Sequence, residues 1–183
     1  MLNEEQLIQG CIKNKRGAQK QLFDKYASVL LGVCMRYARN RDEAEDILQD
    51  GFVKIFMRIK QYTGKGSFEG WMKRVMVNTA LSFYRQNLKH YYHQDIDEVS
   101  ELKFDEASME ESEFSEEEIM EIIKNLPDGF RIVFNLYAIE GYKHREIAEL
   151  LGIDVNTSKS QYSRAKKMIQ NRLLELNKEE YYL

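Results

Sequence analysis

Apolar residues recur at steps of three and four along most of the chain, which is the spacing of one face of an α-helix. Alternation with period two, which would indicate strands, is scarce. The sequence therefore predicts an all-α protein. The expected helices run from Leu2 to Ile12, from Ala18 to Ala38, from Asp42 through Phe56, from Phe68 to about Lys89, and over 116–125, 127–140, 144–151 and 155–176.

An acidic segment separates two helical parts. From His93 to Glu121 thirteen acids stand against one base, a net charge of −12, whereas the rest of the chain has 26 Lys and Arg against 17 acids, a net of +9. Residues 93–113 hold too few large apolar groups to offset chain entropy, so we expect a flexible linker there. The predicted architecture is two small helical domains, at 1–92 and 114–183, and the basic flanks favour a polyanionic partner.

The composition limits the classes of function. With 43% hydrophobic and 31% charged residues the chain is typical of a soluble globular protein. No apolar run reaches the roughly 18 residues of a membrane span, and the start lacks the features of a signal peptide, so we expect a cytoplasmic protein without membrane insertion. Cys11 and Cys34 are expected to be reduced and buried. No Cys/His cluster or catalytic motif is evident, so we predict no metal, cofactor, small-molecule substrate or enzymatic activity.

A helix-turn-helix is predicted near the C-terminus. Gly152 suits the left-handed residue that ends one helix, and Asp154 can cap the next. In the second helix an apolar stripe faces the core, and the opposite face is small, polar and cationic. Such a helix fits the DNA major groove, where Arg and Gln can read base edges while Lys and Ser hold phosphates. The stripe is Val155, Ser158, Tyr162, Ala165, Ile169 and Leu173; the opposite face is Ser160, Arg164, Lys167 and Asn171, flanked by Asn156, Gln161 and Ser163.

The chain as a whole resembles the extracytoplasmic-function group of the bacterial sigma-70 family. Three stretches carry the resemblance in the right order, over about 160 of the 183 residues. They are RDEAEDILQDGFVKIF at 41–56, FEGWMKRVMVNTALSFYR at 68–85, and the segment 126–167 that contains the predicted helix-turn-helix. The resemblance implies a sigma factor that binds core RNA polymerase, carries it to a promoter and helps to open the duplex. It also implies promoter DNA as a partner and an anti-sigma factor as a regulator.

The resemblance assigns roles to three sets of residues. Binding of the polymerase β′ coiled coil is expected of Asp46, Gln49 and Asp50, and part of the C-terminal domain is expected to meet the β flap. The −10 element is expected to meet Tyr62, Lys65, Ser67, Phe68, Lys73, Arg74, Asn78 and Arg85. The −35 element is expected to meet Asn156, Thr157, Lys159, Ser160, Gln161, Ser163, Arg164 and Lys167. The C-terminal core is expected to contain Ile123, Phe130, Val133, Phe134 and Tyr137.

Some of these residues have a structural alternative. Phe68 and Trp71 lie at core spacing, which favours packing, and Asn78 could be a buried amide that ties helices together. Gly51 costs about 1 kcal/mol relative to Ala inside a helix, and the sequence offers no reason for it. Gln161 and Ser163 stand where Arg and bulkier residues are frequent in the family, which leaves the −35 sequence open.

Two other functions remain open at the level of sequence. A helix-turn-helix regulator that binds duplex DNA without polymerase would explain 144–167 but not 41–85. A helical interaction protein would suit the acidic segment but not the basic face of the last helix.

Overall fold

The computed structural model describes the backbone of residues 2–91 and 114–180, and side chains there except at 87–91, 116 and 178–180. It divides the chain into two compact units, Met1–Gln86 and Asn87–Leu183. Every regular element in the described ranges is helical, which confirms the all-α prediction. The predicted linker at 93–113 lies outside the described residues, so its limits and those of the domains at 1–92 and 114–183 stay predictions.

The first unit contains four α-helices and a short 3₁₀ turn. Their bounds are α1 Glu4–Ile12, α2 Arg16–Met35, α3 Arg41–Arg58, the 3₁₀ turn Ile59–Gln61, and α4 Phe68–Tyr91. The side chains of Asn3 and Asn40 cap α1 and α3 by accepting backbone N–H bonds. Helical spacing predicts an inward stripe on α2 of Leu22, Tyr26, Leu30, Val33 and Met35. The first four are buried, and Met35, near the end of the helix, is half-buried.

Helix α1 is attached to α2 by a hydrogen bond and a close approach. The Tyr26 hydroxyl donates to the Glu4 carboxylate at 2.6 Å, and burial followed by this contact raises the pKa of Tyr26. A Cβ at Gly10 would overlap the Cβ of Ala18, so the two backbones lie close together. Cys11 and Cys34 are free and buried as expected, and burial raises the pKa of the Cys34 thiol to about 12.

Gly51 is explained by the packing of α3 against α4. A Cβ at this position would overlap the Sδ of Met76 and lie 2.8 Å from its Cε. Met76 is fully buried, so its side chain has little room to move away. The glycine that the sequence left unexplained therefore makes room on α3 for the Met76 side chain of α4.

The second unit has α5 Glu116–Lys124, α6 Asp128–Phe134, a π-helical turn Asn135–Ile139, α7 His144–Leu151 and α8 Val155–Glu180. One helix was predicted over 127–140; the π-helical turn interrupts it. Tyr137 was predicted to be a core residue, and this is wrong: its side chain is 38% exposed. Within the turn the ring is directed onto His144 instead, with the ring centroids 4.3 Å apart.

A buried arginine organises the start of the second unit. Arg131 is 4% exposed; its guanidinium donates to the carbonyls of Lys124 and Leu126 at 3.1 and 3.4 Å and pairs with Asp128. These carbonyls lie where α5 ends and would otherwise lack a partner in the helix.

No α-helix in the described part of the chain is both long and apolar enough to cross a membrane.

Replacement of Gly51 by Ala should destabilise the first unit. Overpacking costs about 1–3 kcal/mol, and because Met76 is fully buried we expect a cost in the upper part of that range, above the roughly 1 kcal/mol gained in helix propensity. Gly32 is the matched control: it is exposed on α2, and a Cβ added there would meet no atom within 4 Å, so Gly32→Ala should stabilise instead. Urea unfolding followed by Trp71 fluorescence measures both, and equal effects of the two substitutions would contradict the packing argument.

Candidate nucleic-acid interface

The turn between α7 and α8 has the predicted geometry. Gly152 has φ 69°, and its N–H and that of Ile153 donate to the Ala148 carbonyl at 2.9 and 3.1 Å. The Asp154 carboxylate accepts from the Asn156 N–H at 2.7 Å, and its carbonyl accepts from Ser158 N–H at 3.0 Å. Because three residues suffice to end one helix and begin the next, the orientation of α8 relative to α7 is closely defined.

Helix α8 has the two faces that the sequence predicted. On the inward stripe Ser158, Ala165 and Ile169 are buried, and Val155, Tyr162 and Leu173 are half-buried. The residues predicted to meet DNA all retain exposure: Asn156, Thr157, Lys159, Ser160, Ser163 and Arg164 are exposed, and Gln161 and Lys167 are half-buried. The N-terminal half of the outer face therefore presents small polar groups with cations behind them.

A polar and aromatic cluster ties α8 to the rest of its unit. His144 Nδ1 lies 2.9 Å from the Oγ of Ser158, whose side chain is fully buried. The His144 ring stacks on Tyr137, and Tyr162 packs against Tyr137 with the centroids 4.5 Å apart. Burial, and then the positive charge of Lys159, lower the pKa of His144. This cluster was not predicted from the sequence. The one indication there was Ser158, a polar residue on the otherwise apolar inward stripe, which requires a hydrogen-bond partner such as His144.

The loop before α4 is held by its own hydrogen bonds. Gly64 and Gly66 have φ of 75° and 80°, which favours glycine at both positions. The Tyr62 hydroxyl donates to the Gly66 carbonyl at 2.8 Å, and Ser67 Oγ accepts from the Gly70 N–H at 3.0 Å, capping α4. The loop thus presents a defined wall beside the first turn of α4, with Lys65 exposed on it.

Three aromatic rings support this wall. Phe68 is 1% exposed, so it packs in the core as the structural alternative expected, and its ring stacks on Trp71 with centroids 5.7 Å apart. Tyr62 contacts both, at 5.1 Å from Phe68 and 5.8 Å from Trp71, and is itself half-buried. Tyr62 and Trp71 therefore keep an open side while Phe68 does not.

The predicted polar residues follow the outer side of α4. Arg74, Asn78 and Arg85 are exposed, whereas Lys73 is half-buried and forms an ion pair with Glu69 at 2.7 Å. The alternative of Asn78 as a buried amide between helices is wrong, because its side chain lies on the surface.

Helix α3 exposes the three residues predicted to bind polymerase. Asp46, Gln49 and Asp50 are exposed on one face, while Ile47, Phe52 and Ile55 face the core. The same face continues into Val53 and Met57, whose side chains are 56% and 77% exposed. These two apolar residues are not among those that the sequence indicated for polymerase binding.

An apolar groove lies between α5 and α8 in the second unit. Its volume is about 440 Å³. Ile122, Leu126, Met168 and Leu176 line it, and Glu118, Glu121 and Glu175 stand at its edge. The groove therefore combines an apolar floor with a mostly acidic rim.

These features define a helical protein with a helix-turn-helix in its second unit, and comparison with known proteins gives the family. Sequence models of two regions match: sigma-70 region 2 over residues 22–89 and sigma-70 region 4 over residues 116–169. The sigma-E factor of Haemophilus influenzae, an ECF RNA polymerase sigma factor, is 26% identical over 182 residues, covering 94% of this chain and 96% of the relative. That of Escherichia coli K12 is 25% identical, covering 94% and 95%.

A solved structure agrees with the fold. The sigma factor RpoE in complex with the anti-sigma factor NepR, from Bartonella quintana, matches with a TM-score of 0.50 and 22% identity, covering 84% of this chain and 95% of that one. The present chain belongs to the extracytoplasmic-function group of the sigma-70 family. It is an RNA polymerase sigma factor, which directs the polymerase core to promoters and assists their opening in transcription initiation; sigma factors are not enzymes.

The second unit should lose stability on acidification through His144. Because the pKa of His144 is lowered in the native state, the unfolded chain binds a proton that the native chain does not. Stability therefore rises with pH between the lowered native pKa and the ordinary value of 6.5, and falls as pH drops through that range.

Hydrogen exchange of α7 and α8 amides measures this effect. Protection in the wild type should fall as the pH drops through and below the ordinary His pKa of 6.5, and His144→Gln, which cannot be protonated, should show a weaker dependence. An unchanged pH dependence in His144→Gln would exclude His144 as the source.

Proposed function

We propose that this sigma factor divides its contacts among three helices: α8 binds the −35 element, α4 with its preceding loop holds the −10 strand, and α3 binds the β′ coiled coil of core polymerase. The observation that carries this proposal is the outer face of α8, which presents small polar groups and cations directly after the Gly152 turn. Duplex DNA fits that chemistry better than any other partner of a sigma factor.

On α8, size and charge suit different parts of the DNA. Asn156, Ser160 and Ser163 are short, so the helix can approach the floor of the major groove. Arg164 extends from the centre of the exposed face and can form a bidentate contact with guanine, while Lys159 and Lys167 suit phosphates. The half-buried Gln161 stands at the edge of this face.

On α4, we infer the contacts with the −10 strand from the exposed sides of the aromatic rings that support the loop wall. Tyr62 and Trp71 keep an open side on which an unstacked base can pack, and Asn78 lies farther along the same helix. Arg74 and Arg85 suit the phosphates of that strand. Phe68 supports the wall from within, so among the predicted −10 residues its role is to position the others.

The polymerase contacts proposed for α3 combine charge with apolar area. Asp46, Gln49 and Asp50 can accept and donate bonds to Arg-bearing helices, and Val53 and Met57 extend the same face with apolar surface. The groove between α5 and α8 supports the proposed contact with the β flap, because its apolar floor can receive side chains from that partner.

An anti-sigma factor is a further proposed partner. The Bartonella sigma factor RpoE is known in complex with the anti-sigma factor NepR, and the present chain shares its fold. Exposed apolar residues are available for such contacts on both units, among them Val53 and Ile139, which are 56% and 43% exposed. Because its proposed partner, core RNA polymerase, acts in the cytoplasm, we expect this protein to act there as well.

Arg164→Ala should weaken promoter binding through the −35 element. Loss of a bidentate base contact costs about 1–3 kcal/mol, roughly 5- to 150-fold in affinity. Run-off transcription measures it, on a promoter selected from random duplexes by the wild-type holoenzyme. Lys166→Ala is the control, since Lys166 is exposed but lies about 200° around α8 from Arg164. Equal losses in both variants, or loss of polymerase binding by Arg164→Ala, would count against the assignment.

Asp50→Lys should weaken binding to core polymerase by about tenfold or more, because a like charge would face the proposed Arg-bearing partner. Co-elution with bacterial core polymerase on size exclusion, at moderate salt and without DNA, measures it. Asp24→Lys makes the same charge change on the exposed side of α2, where Asp24 pairs with Lys20 at 2.7 Å, and should leave co-elution unchanged. Unimpaired co-elution of Asp50→Lys would exclude this face.

A further inference from the structure

The first unit has a strongly basic end that none of the proposed contacts uses. Two stretches of the sequence, Gln6–Phe23 and Gly51–Phe68, together hold eight Lys or Arg and no Asp or Glu. Six of these cations lie toward the end of the unit where α2 begins and α3 ends. We call the basic end the set Lys13, Lys15, Arg16, Lys54, Arg58 and Lys60.

The convergence follows from the antiparallel packing of α2 and α3. The two helices are joined by residues 36–40, and the rings of Phe23 and Phe52 pack between them with centroids 4.6 Å apart. From that contact, seven residues back along α2 reach Arg16 and six residues forward along α3 reach Arg58. At about 1.5 Å per residue both lie roughly 10 Å beyond the contact, on the same side.

The loop at 13–16 completes this end. Asn14 has φ 53°, and the Lys15 N–H donates to the Gly10 carbonyl at 2.9 Å, so the loop turns tightly from α1 into α2. Lys13, Lys15 and Arg16 are exposed, and within the described part of the chain none of them forms an ion pair. By contrast, Lys20 one turn later is neutralised by Asp24.

Helix stability does not account for the charges at the start of α2. Lys15 caps α2 without a side-chain hydrogen bond and Arg16 is its first residue, so two cations stand at the positive end of the helix dipole. The first turn of α2 contains no acid, whereas α1 and α3 each begin with two. Residues that weaken their own helix in this way are expected where function requires them.

We propose that the basic end binds the phosphodiester backbone of nucleic acid, as a contact surface additional to α4 and α8. Five of the six cations are exposed and Lys54 is half-buried, and none of the six forms an ion pair with any residue that the structure describes. Cations gathered in this way attract polyanions and release counterions on binding. Contacts of this kind position a chain on DNA without reading its sequence. The inference rests on the proposed function in that the chain acts on promoter DNA, but not on which residues read the −10 or −35 element.

The test is nucleic-acid binding by the full chain at low ionic strength. The triple variant Lys13→Ala, Lys15→Ala, Arg16→Ala is compared with Arg41→Ala, Lys124→Ala, Arg172→Ala, which removes three exposed cations that are each paired with a neighbouring Glu. The probes are a random-sequence DNA duplex and a random-sequence single strand, with binding followed by fluorescence anisotropy over a range of salt concentrations.

Loss of three phosphate contacts should weaken binding about tenfold or more and reduce the slope of log affinity against log salt by roughly two to three. Whichever probe loses affinity identifies duplex or single strand as the source of the phosphates. The control variant should bind like the wild type. A charge-conserving variant, Lys13→Arg, Lys15→Arg, Arg16→Lys, should retain binding and so exclude misfolding as the cause.

Four results would overturn the proposal. They are unchanged nucleic-acid binding by the first triple Ala variant, an equal loss in both triple Ala variants, no nucleic-acid binding by the wild type, and failure of the first triple Ala variant to co-elute with core polymerase. Arg164→Ala in the same assay separates this inference from the proposed function. If it impairs only duplex binding while the triple variant binds normally, the basic end fails and the role of α8 stands. The reverse pattern preserves the basic end and removes the role of α8.

Discussion

The room that Gly51 on α3 leaves for the buried Met76 side chain of α4 is the constraint on which the first unit depends. Met76 occupies the space that a side chain at position 51 would need, so the two helices share one interior. The exposed sides of the two helices carry opposite charge, acidic on α3 and basic on α4. Asp46, Gln49 and Asp50 cover α3, and Arg74 and Arg85 follow α4. A bulkier residue at 51 would displace the Met76 side chain and so disturb the packing that lies between these two faces.

In the second unit, a contact between buried polar groups fixes the direction of the helix that carries the functional face. A hydroxyl buried as completely as that of Ser158 costs about 1–3 kcal/mol if it lacks a partner, and His144 supplies one. Tyr137 and Tyr162 enclose the imidazole, so the start of α7, the π-helical turn and the inner side of α8 meet in one contact. The outer face of α8 is oriented by what its inner face binds. A small unit with a limited core can thereby hold one helix in a defined direction.

Much of this was accessible from the sequence. Helical periodicity placed α3, α4, α7 and α8 to within a few residues, and the stripe through Ala165 and Ile169 separated the two faces of α8 correctly. Periodicity reports which side of a helix is buried, but not what lies against it. The partner of Gly51 is 25 positions away at Met76, and that of Ser158 is His144 in another helix. Tyr137 has core spacing, yet the π-helical turn rotates it outward, and no local pattern announced that turn. The candidate site residues were found by family resemblance more than by physical pattern, and only coordinates separate the buried Phe68 from the half-buried Tyr62 and Trp71 beside it.

The charges at the ends of the helices separate what stability requires from what it does not. In α3, Asp42 and Glu43 begin the helix and Arg58 ends it, which agrees with the dipole, so folding alone can account for them. In α2 the order is reversed, because Lys15 and Arg16 stand at the positive end, where each is unfavourable by a few tenths of a kcal/mol or more. Antiparallel packing then brings the end of α3 and the start of α2 together, and their like charges repel each other as well. The repulsion from the α2 dipole and the repulsion between the two helix ends are independent of each other. In the described part of the first unit, no ion pair offsets either of them. They are relieved together when an anion lies across both helix ends, and a polymer of phosphates is the anion that a sigma factor meets in its work.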